Sequence, residues 1–463
     1  MMEALRRKSH MPGALLIRLA LIPALLLGLL VVGSVSVRFR PELLLVLTAT
    51  PLLTLLVLKR PELSVPAITL TALSVRFSLP TGTQSRIVAS LLLTAACVVL
   101  WVGRMLVVEK RLHLKPSRAN APLLCFVAVT VISYVWSNAF RDPLVVVWET
   151  WPFVQLGGLA VMALLPGAFL LASNTLTDVM WIKVLTGIFL GAGILATLRD
   201  CGLVRLGLLQ VHPLFPTWFA CLALAQGLFN RRLPLTLRVV LLSLVGIYGY
   251  HQFIVKLSWL VAWAPTLLGM LAVCALRSRL LFAVLLIVVV AFVAANLGDA
   301  RAAYGLERSI SGLTRLAAYV QNWRVTGKHL LFGVGPAGYA VYYMSYFPEQ
   351  AMATHSNYLD VLSQTGVIGL LAFLAFFLAL GLTARDLLAR TRGRFDFSHA
   401  FAVATAGGLV GTIVAMGLGD WVLPFVYTQT IAGFDYAVYT WVLLGAAQAL
   451  NHLLVHEECG VEA

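Results

Sequence analysis

Charge is what this chain has least of. Only 11% of its 463 residues are Asp, Glu, Lys or Arg, against about a quarter in an ordinary soluble domain. So thin a charged surface excludes a soluble globular protein of this length. Acidic residues are the scarcer kind, 19 against 34 basic, and the formal net charge is +15. Cysteine is also sparse: Cys97, Cys125, Cys201, Cys221, Cys274 and Cys459 form no C-x-x-C pair, and most lie inside apolar runs. That excludes a disulfide framework and a zinc motif, and leaves them as small core residues. No repeat of about 20–50 residues appears, so a solenoid is excluded. Short alternating segments are missing too, which excludes a membrane barrel.

Apolar sequence fills the space. Hydrophobic residues make up 60% of the chain, gathered into runs long enough to cross a hydrocarbon core of about 30 Å as helices. Candidate spans are 14–35, 42–58, 65–79, 87–108, 121–136, 153–173, 178–198, 214–229, 236–253, 257–276, 279–297, 362–384, 400–419 and 426–450. The fold class is therefore all-α: a polytopic membrane protein with about 12–14 transmembrane helices, the short third run being the first in doubt. The apolar run after Arg6-Arg7-Lys8 resembles a signal peptide but is long and lacks a small-x-small cleavage pattern, so it reads as an uncleaved first helix.

Loop charge tests the topology. With all the candidate spans crossing, Lys59-Arg60, Lys110-Arg111 with Lys115 and Arg118, Arg231-Arg232, Arg277 with Arg279, and Arg390 with Arg392 and Arg394 fall on the side of both termini. The positive-inside rule makes that side cytoplasmic. The basic excess then needs no nucleic acid, and the first external link, with Arg38 and Arg40, is the exception. Three regions follow: helices over 1–297, an external (periplasmic) loop with short helices over 298–361, and helices with a short cytoplasmic tail over 362–463.

A polar, basic, aromatic loop of about sixty residues is not required by membrane packing, and long loops are usually functional. It carries Arg301, Arg308, Arg315, Arg324, Lys328, His329 and His355. Tyr319 and Trp323 lie four apart, and Arg308 and Arg315 seven apart, as on the faces of an interfacial helix. Guanidinium groups suit phosphate through paired, charge-assisted bonds; a solvated face is the alternative for each. Gly333-x-Gly335 lacks the strand and βαβ setting of a dinucleotide fingerprint, and reads as a tight turn allowing close backbone approach. His355 is the best general-base candidate, because imidazole, with an ordinary pKa of about 6.5, accepts a proton near neutral pH. Taken alone, a loop histidine is more often plain surface. Elsewhere, Lys256 at an outer helix mouth either snorkels or faces an outer cavity. Arg205, with His212-Pro213 following, belongs to an external link that taken alone is a short interfacial segment.

Phe332-Gly333-Val334-Gly335-Pro336-Ala337-Gly338-Tyr339, His355-Ser356-Asn357-Tyr358-Leu359 and Thr365-Gly366-Val367-Ile368-Gly369 together resemble the O-antigen ligase and polymerase superfamily. The core of the resemblance covers about fifty residues, in the family's order and spacing. Arg205 and Thr314-Arg315 match further elements, while Lys256 stands where an arginine is common and Gln364 where a glutamate is. The resemblance implies a metal-independent, cofactor-free, inverting glycosyltransferase of the bacterial inner membrane, acting at its periplasmic face. The donor would be an undecaprenyl-pyrophosphate-linked oligosaccharide and the acceptor a glycan or lipid-core hydroxyl, with membrane lipids around it, a chain-length regulator as a further partner and no nucleic acid. His355 and Arg315 would be catalytic, Arg205, Lys256 and Arg308 would bind pyrophosphate, and Gly333 and Gly335 would form the turn. The Lys256 departure and the number of spans favour a polymerase over a ligase; a lipid-linked glycan flippase is the alternative.

Overall fold

In a computed structural model of the protein, the described residues are 59–81, 85–205, 207, 209, 211, 214–252, 260–295, 298, 301, 313–350, 353–458 and 460. The expected spans 14–35 and 42–58, Lys256 and Arg308 lie outside them. Everything below belongs to the larger of two compact units, which runs from Glu62 onward.

The helices are α1 (Ser64–Ser74), α2 (Ala89–Val107), α3 (Asn120–Ala139), α4 (Trp151–Thr175), α5 (Val179–Asp200), α6 (Leu214–Phe229), α7 (Leu235–Tyr250), α8 (Leu260–Arg277), α9 (Arg279–Ala295), α10 (Leu313–Thr326), α11 (Tyr339–Tyr346), α12 (Asn357–Arg390), α13 (Phe397–Leu418) and α14 (Phe434–Glu458). The chain is an all-α, multi-pass membrane protein. Seven described segments are long and apolar enough to cross a membrane: α2, α3, α4, α5, α12, α13 and the stretch Ile431–Glu458 around α14. Four shorter apolar helices accompany them in α6 to α9.

Packing follows from small and aromatic residues. A Cβ on Gly407 of α13 would come within 2.8 Å of the Gly269 carbonyl of α8, and one on Gly269 within 2.9 Å of Cys221 Sγ in α6. Without a hydrophobic drive between helices in lipid, such close backbone approach is a main source of adhesion. A second seam is aromatic: Phe126 meets Phe373 at 5.2 Å, Phe169 meets Phe376 at 5.1 Å, and Phe376 stacks on Trp441 at 5.5 Å. It joins α3, α4, α12 and α14.

Three expectations change. The run 65–79 is not one continuous helix: α1 has 11 residues, about 16 Å at 1.5 Å per residue, and the chain then extends into a hairpin pairing Ser78–Pro80 with Arg86–Val88. The last helix begins at Phe434 instead of 426, because residues 419–430 form an irregular segment carrying Asp420 and Tyr427. Of the five described cysteines, Cys97, Cys221 and Cys274 are buried as expected, but Cys125 and Cys201 are exposed.

One feature of α12 positions the functional region. Its helix is interrupted at Gly366, where φ is 70° and ψ −172°. A break frees backbone groups that lipid cannot satisfy. The Gly-rich turn satisfies them: Val334 N donates to Ser363 O at 2.8 Å, Gly335 N to Gln364 O at 2.9 Å, and Val367 N to Leu330 O at 2.8 Å. Ser133 of α3 adds its hydroxyl, bonded to Phe332 O and Gln364 O. Such contact needs bare backbone. Gly335, at φ 85°, has no room for a Cβ beside Ser137, and Gly366 has none beside the Leu331 carbonyl. Gly333 is likewise left-handed, at φ 66°.

Gly335→Ala or Gly366→Ala should therefore destabilise the protein by roughly 1–3 kcal/mol or more, as overpacking does. Gly191→Ala, whose Cβ meets nothing within 4 Å, should not. Thermal unfolding in detergent measures both, and equal Tm values for the three variants would contradict the interlock.

Candidate functional site

His355 precedes α12 and is held in an uncommon backbone state, φ 48°. Left-handed geometry in a residue other than glycine persists only where the surroundings impose it, at a cost of order 1–3 kcal/mol. Ala337 in the Gly-rich turn and Thr430, both at φ 57°, share it. The three flank one region, assembled from the turn, the start of α12 and the segment 419–430.

Asn357 ties that region together. Fully buried, it donates from Nδ2 to Leu423 O at 2.6 Å, while its Oδ1 accepts from Val422 N at 3.2 Å and Leu423 N at 3.4 Å. Trp441 Nε1 donates to Val422 O at 2.8 Å. The carboxylate of Asp420, 2% exposed, is thereby fixed. It accepts from Thr428 Oγ1 at 2.7 Å and Gln429 Nε2 at 3.3 Å. His355 Nδ1 faces Asp420 Oδ1 at 3.9 Å, with its ring about one-third exposed. Arg315, in the first turn of α10, donates from Nη1 to Leu418 O at 3.2 Å. An imidazole, a carboxylate and a guanidinium thus converge on residues 418–420.

A second carboxylate lies one turn into α12. Asp360 is fully buried and accepts from the Tyr427 hydroxyl and the Gln364 amide. Gln364 Oε1 in turn accepts from Ala337 N at 2.5 Å. The amide at 364 therefore has a structural reason: it donates to a carboxylate on one side and accepts from the turn on the other, where a glutamate would set a second carboxylate against Asp360. Burial, with the nearby Asp360 carboxylate, pushes the Tyr427 phenol well above its ordinary value, so it stays a donor. Asp360 and Gln364 also line a cavity of about 10 Å³ with Gly158, Val361, Leu423 and Phe425. That is about the room one water occupies.

Of the residues expected at the site, the structure brings His355, Arg315, Gly333 and Gly335 into or against this region. Arg205 is exposed beyond α5 and shares no contact with them among the described residues. Arg324, Lys328 and His329 gather around a separate cavity. Sequence reading missed Asp420, Asp360, Tyr427 and Ser133. Asp420 sits at a helix end 65 residues from His355, where an acidic residue looks like a simple boundary; its one sequence signal is to be an acidic residue within an apolar stretch.

Residues 233–374 match the sequence model of the family described as O-antigen ligase. That bears out the resemblance to the O-antigen ligase and polymerase superfamily: this stretch is of O-antigen ligase type. It holds Arg315, the Gly-rich turn, His355 and the break in α12, whereas Asp420, Tyr427 and Ser133 lie outside it. No curated protein matches the chain.

Tyr427→Phe removes one donor from a buried carboxylate. It should cost about 1–3 kcal/mol, read as a lowered Tm in detergent. An unchanged Tm would mean that the phenol does not serve Asp360.

Proposed function

We propose that this protein is a glycosyltransferase moving an undecaprenyl-pyrophosphate-linked glycan onto a sugar hydroxyl at the periplasmic face of the bacterial inner membrane. Its O-antigen ligase-type stretch supports reading it as an enzyme of membrane glycan assembly. The observation that carries the finer reading is the pairing of His355 with a buried, multiply bonded Asp420 beside anchored Arg315.

The chemistry follows from that pairing. His355 turns Nδ1 toward Asp420, which leaves Nε2 for substrate. The acceptor oxygen attacks the anomeric carbon, its proton passes to Nε2, and the bond from that carbon to the donor's phosphate oxygen breaks. Undecaprenyl pyrophosphate leaves with the electron pair. Asp420 holds the ring in orientation and stabilises the imidazolium as it forms, as the acid of a hydrolase triad does. Arg315 meets the charge growing on the leaving group, where fixed donors act most strongly. Arg205, Lys256 and Arg308 serve the same pyrophosphate. One displacement inverts the anomeric centre, and no metal or cofactor takes part.

Loop charge supports the periplasmic placement: the turns holding Arg118, Arg231, Arg277 and Arg394 alternate along the chain with those that build the site. The single-ended site favours transfer over translocation, which needs a site near mid-membrane. Between polymerase and ligase, a polymerase is the reading retained.

His355→Ala and Asp420→Asn should each lower glycan transfer by about 10²-fold or more, in the range general-base losses reach, and Arg315→Ala comparably, with membrane levels unchanged. Glycan profiles of a deletion strain complemented with each variant read this out. Normal chain length and amount in the His355→Ala strain would end the proposal. In the deletion strain itself, single lipid-linked repeat units are expected of a polymerase and long unattached chains of a ligase.

A further inference from the structure

Between the end of α10 and α11 lies a cavity of about 410 Å³, lined by Arg324, Val325, Lys328, His329, Tyr342, Tyr346 and Phe347. Its size is that of a small-molecule pocket, and the His355 chemistry makes no use of it. Helix α11 has two tyrosine faces. Tyr339 and Tyr343 turn inward, Tyr343 lying against the Tyr427 ring at 5.9 Å. Tyr342 and Tyr346, four apart on another face, line the cavity. The same eight-residue helix thus separates and connects the two places.

The lining is held firmly. The Tyr346 hydroxyl donates to Asp142, and Asp142 N donates to the Tyr342 hydroxyl at 3.3 Å. Val146 N donates to Ser345 Oγ at 3.0 Å. The Tyr346 bond, the Leu144 amide and the neighbouring Lys328 hold the Asp142 carboxyl below its ordinary value. The His329 ring lies edge-on to Tyr342 at 5.0 Å, and burial lowers its pKa, leaving a neutral group able to bond a hydroxyl. Lys328 Nζ stands 5.4 Å from the Tyr346 ring centre. Neither Arg324 nor Lys328 forms an ion pair with a described carboxylate.

We infer that this cavity is a second saccharide subsite, taking a sugar residue that carries a phosphate or carboxylate within the glycan handled at the His355 site. Two exposed cations, Arg324 and Lys328, neither in an ion pair among the described residues, answer the anion, although Lys328 also feels the Asp142 carboxylate. The tyrosine and phenylalanine rings offer flat apolar faces to a sugar, and His329 offers a bond to a hydroxyl. Reach is compatible: Arg315 and Arg324 are nine residues apart on α10, roughly 13 Å by helix rise, a span that a few sugar residues bridge. The subsite rests on the glycosyltransferase reading for its role, though not for its binding.

The test uses the full-length protein in nanodiscs of zwitterionic lipid, with glucose 1-phosphate, glucuronate, glucose and inorganic phosphate titrated by calorimetry. Glucose 1-phosphate and glucuronate should bind at least ten-fold more tightly than glucose or inorganic phosphate. The exposed pair change Arg324→Ala with Lys328→Ala, which should leave the fold intact, should weaken them at least ten-fold. Tyr346→Ala, with its Tm checked, should weaken all sugars. His355→Ala should bind as the unaltered protein does, so loss of the catalytic proposal leaves this one standing. Inorganic phosphate binding as tightly as glucose 1-phosphate would overturn the inference, as would unchanged affinity in the cation pair variant. Abolition of binding by anionic phospholipid in the nanodisc would reassign the cavity to a lipid headgroup and equally overturn it.

Discussion

The break in α12 at Gly366 is the constraint on which the rest of the structure depends. An interrupted helix within a membrane protein strands backbone donors and acceptors where water is scarce, and each must be answered by protein. Here the answer comes from a turn some thirty residues earlier in the chain, through three backbone bonds and the Ser133 hydroxyl. Because that turn must touch bare backbone, it is built of glycine at the contact points. The consequence reaches outward: once α12 is broken and pinned, its first turn presents Asn357 and Asp360 inward, and His355 stands at its mouth.

Two buried amide side chains then carry order from the turn to the site. Gln364 connects the turn to Asp360, and Asn357 connects α12 to the segment 419–430. Each bonds on both of its faces, as a buried amide must if it is not to cost stability. What they deliver is a carboxylate, Asp420, at a fixed place opposite an imidazole. Three left-handed residues other than glycine around this region are strain of the kind that gathers at functional sites.

How far the sequence disclosed this depended on distance along the chain. The all-α membrane class was plain, because apolar runs and loop charge are local properties. Gly333, Gly335 and His355 stood out because their chemistry departs from that of the surrounding lipid-facing sequence, whereas Gly366 entered only with the family resemblance. Asp420 did not, for the opposite reason: it meets His355 only through tertiary folding. Ser133 hid as one hydroxyl in an apolar helix, and its use appears only when the broken helix lies beside it. The final helix was placed eight residues early, since Val426 and Ile431 are as apolar as a helix interior although they lie before its first turn. Arg315 was found for its charge, but its anchor on the Leu418 carbonyl belongs to the folded chain alone.

The central claim is that one displacement, driven from His355 and Asp420, makes a glycosidic bond directly from a lipid-linked donor. Reaction of the purified protein with a synthetic undecaprenyl-pyrophosphate oligosaccharide and an acceptor glycan, the new linkage assigned by NMR, tests it most directly. The account predicts a product whose anomeric configuration is inverted relative to the donor, with undecaprenyl pyrophosphate released in equal amount. A retained configuration, or movement of the donor across a bilayer with no bond formed, would contradict it.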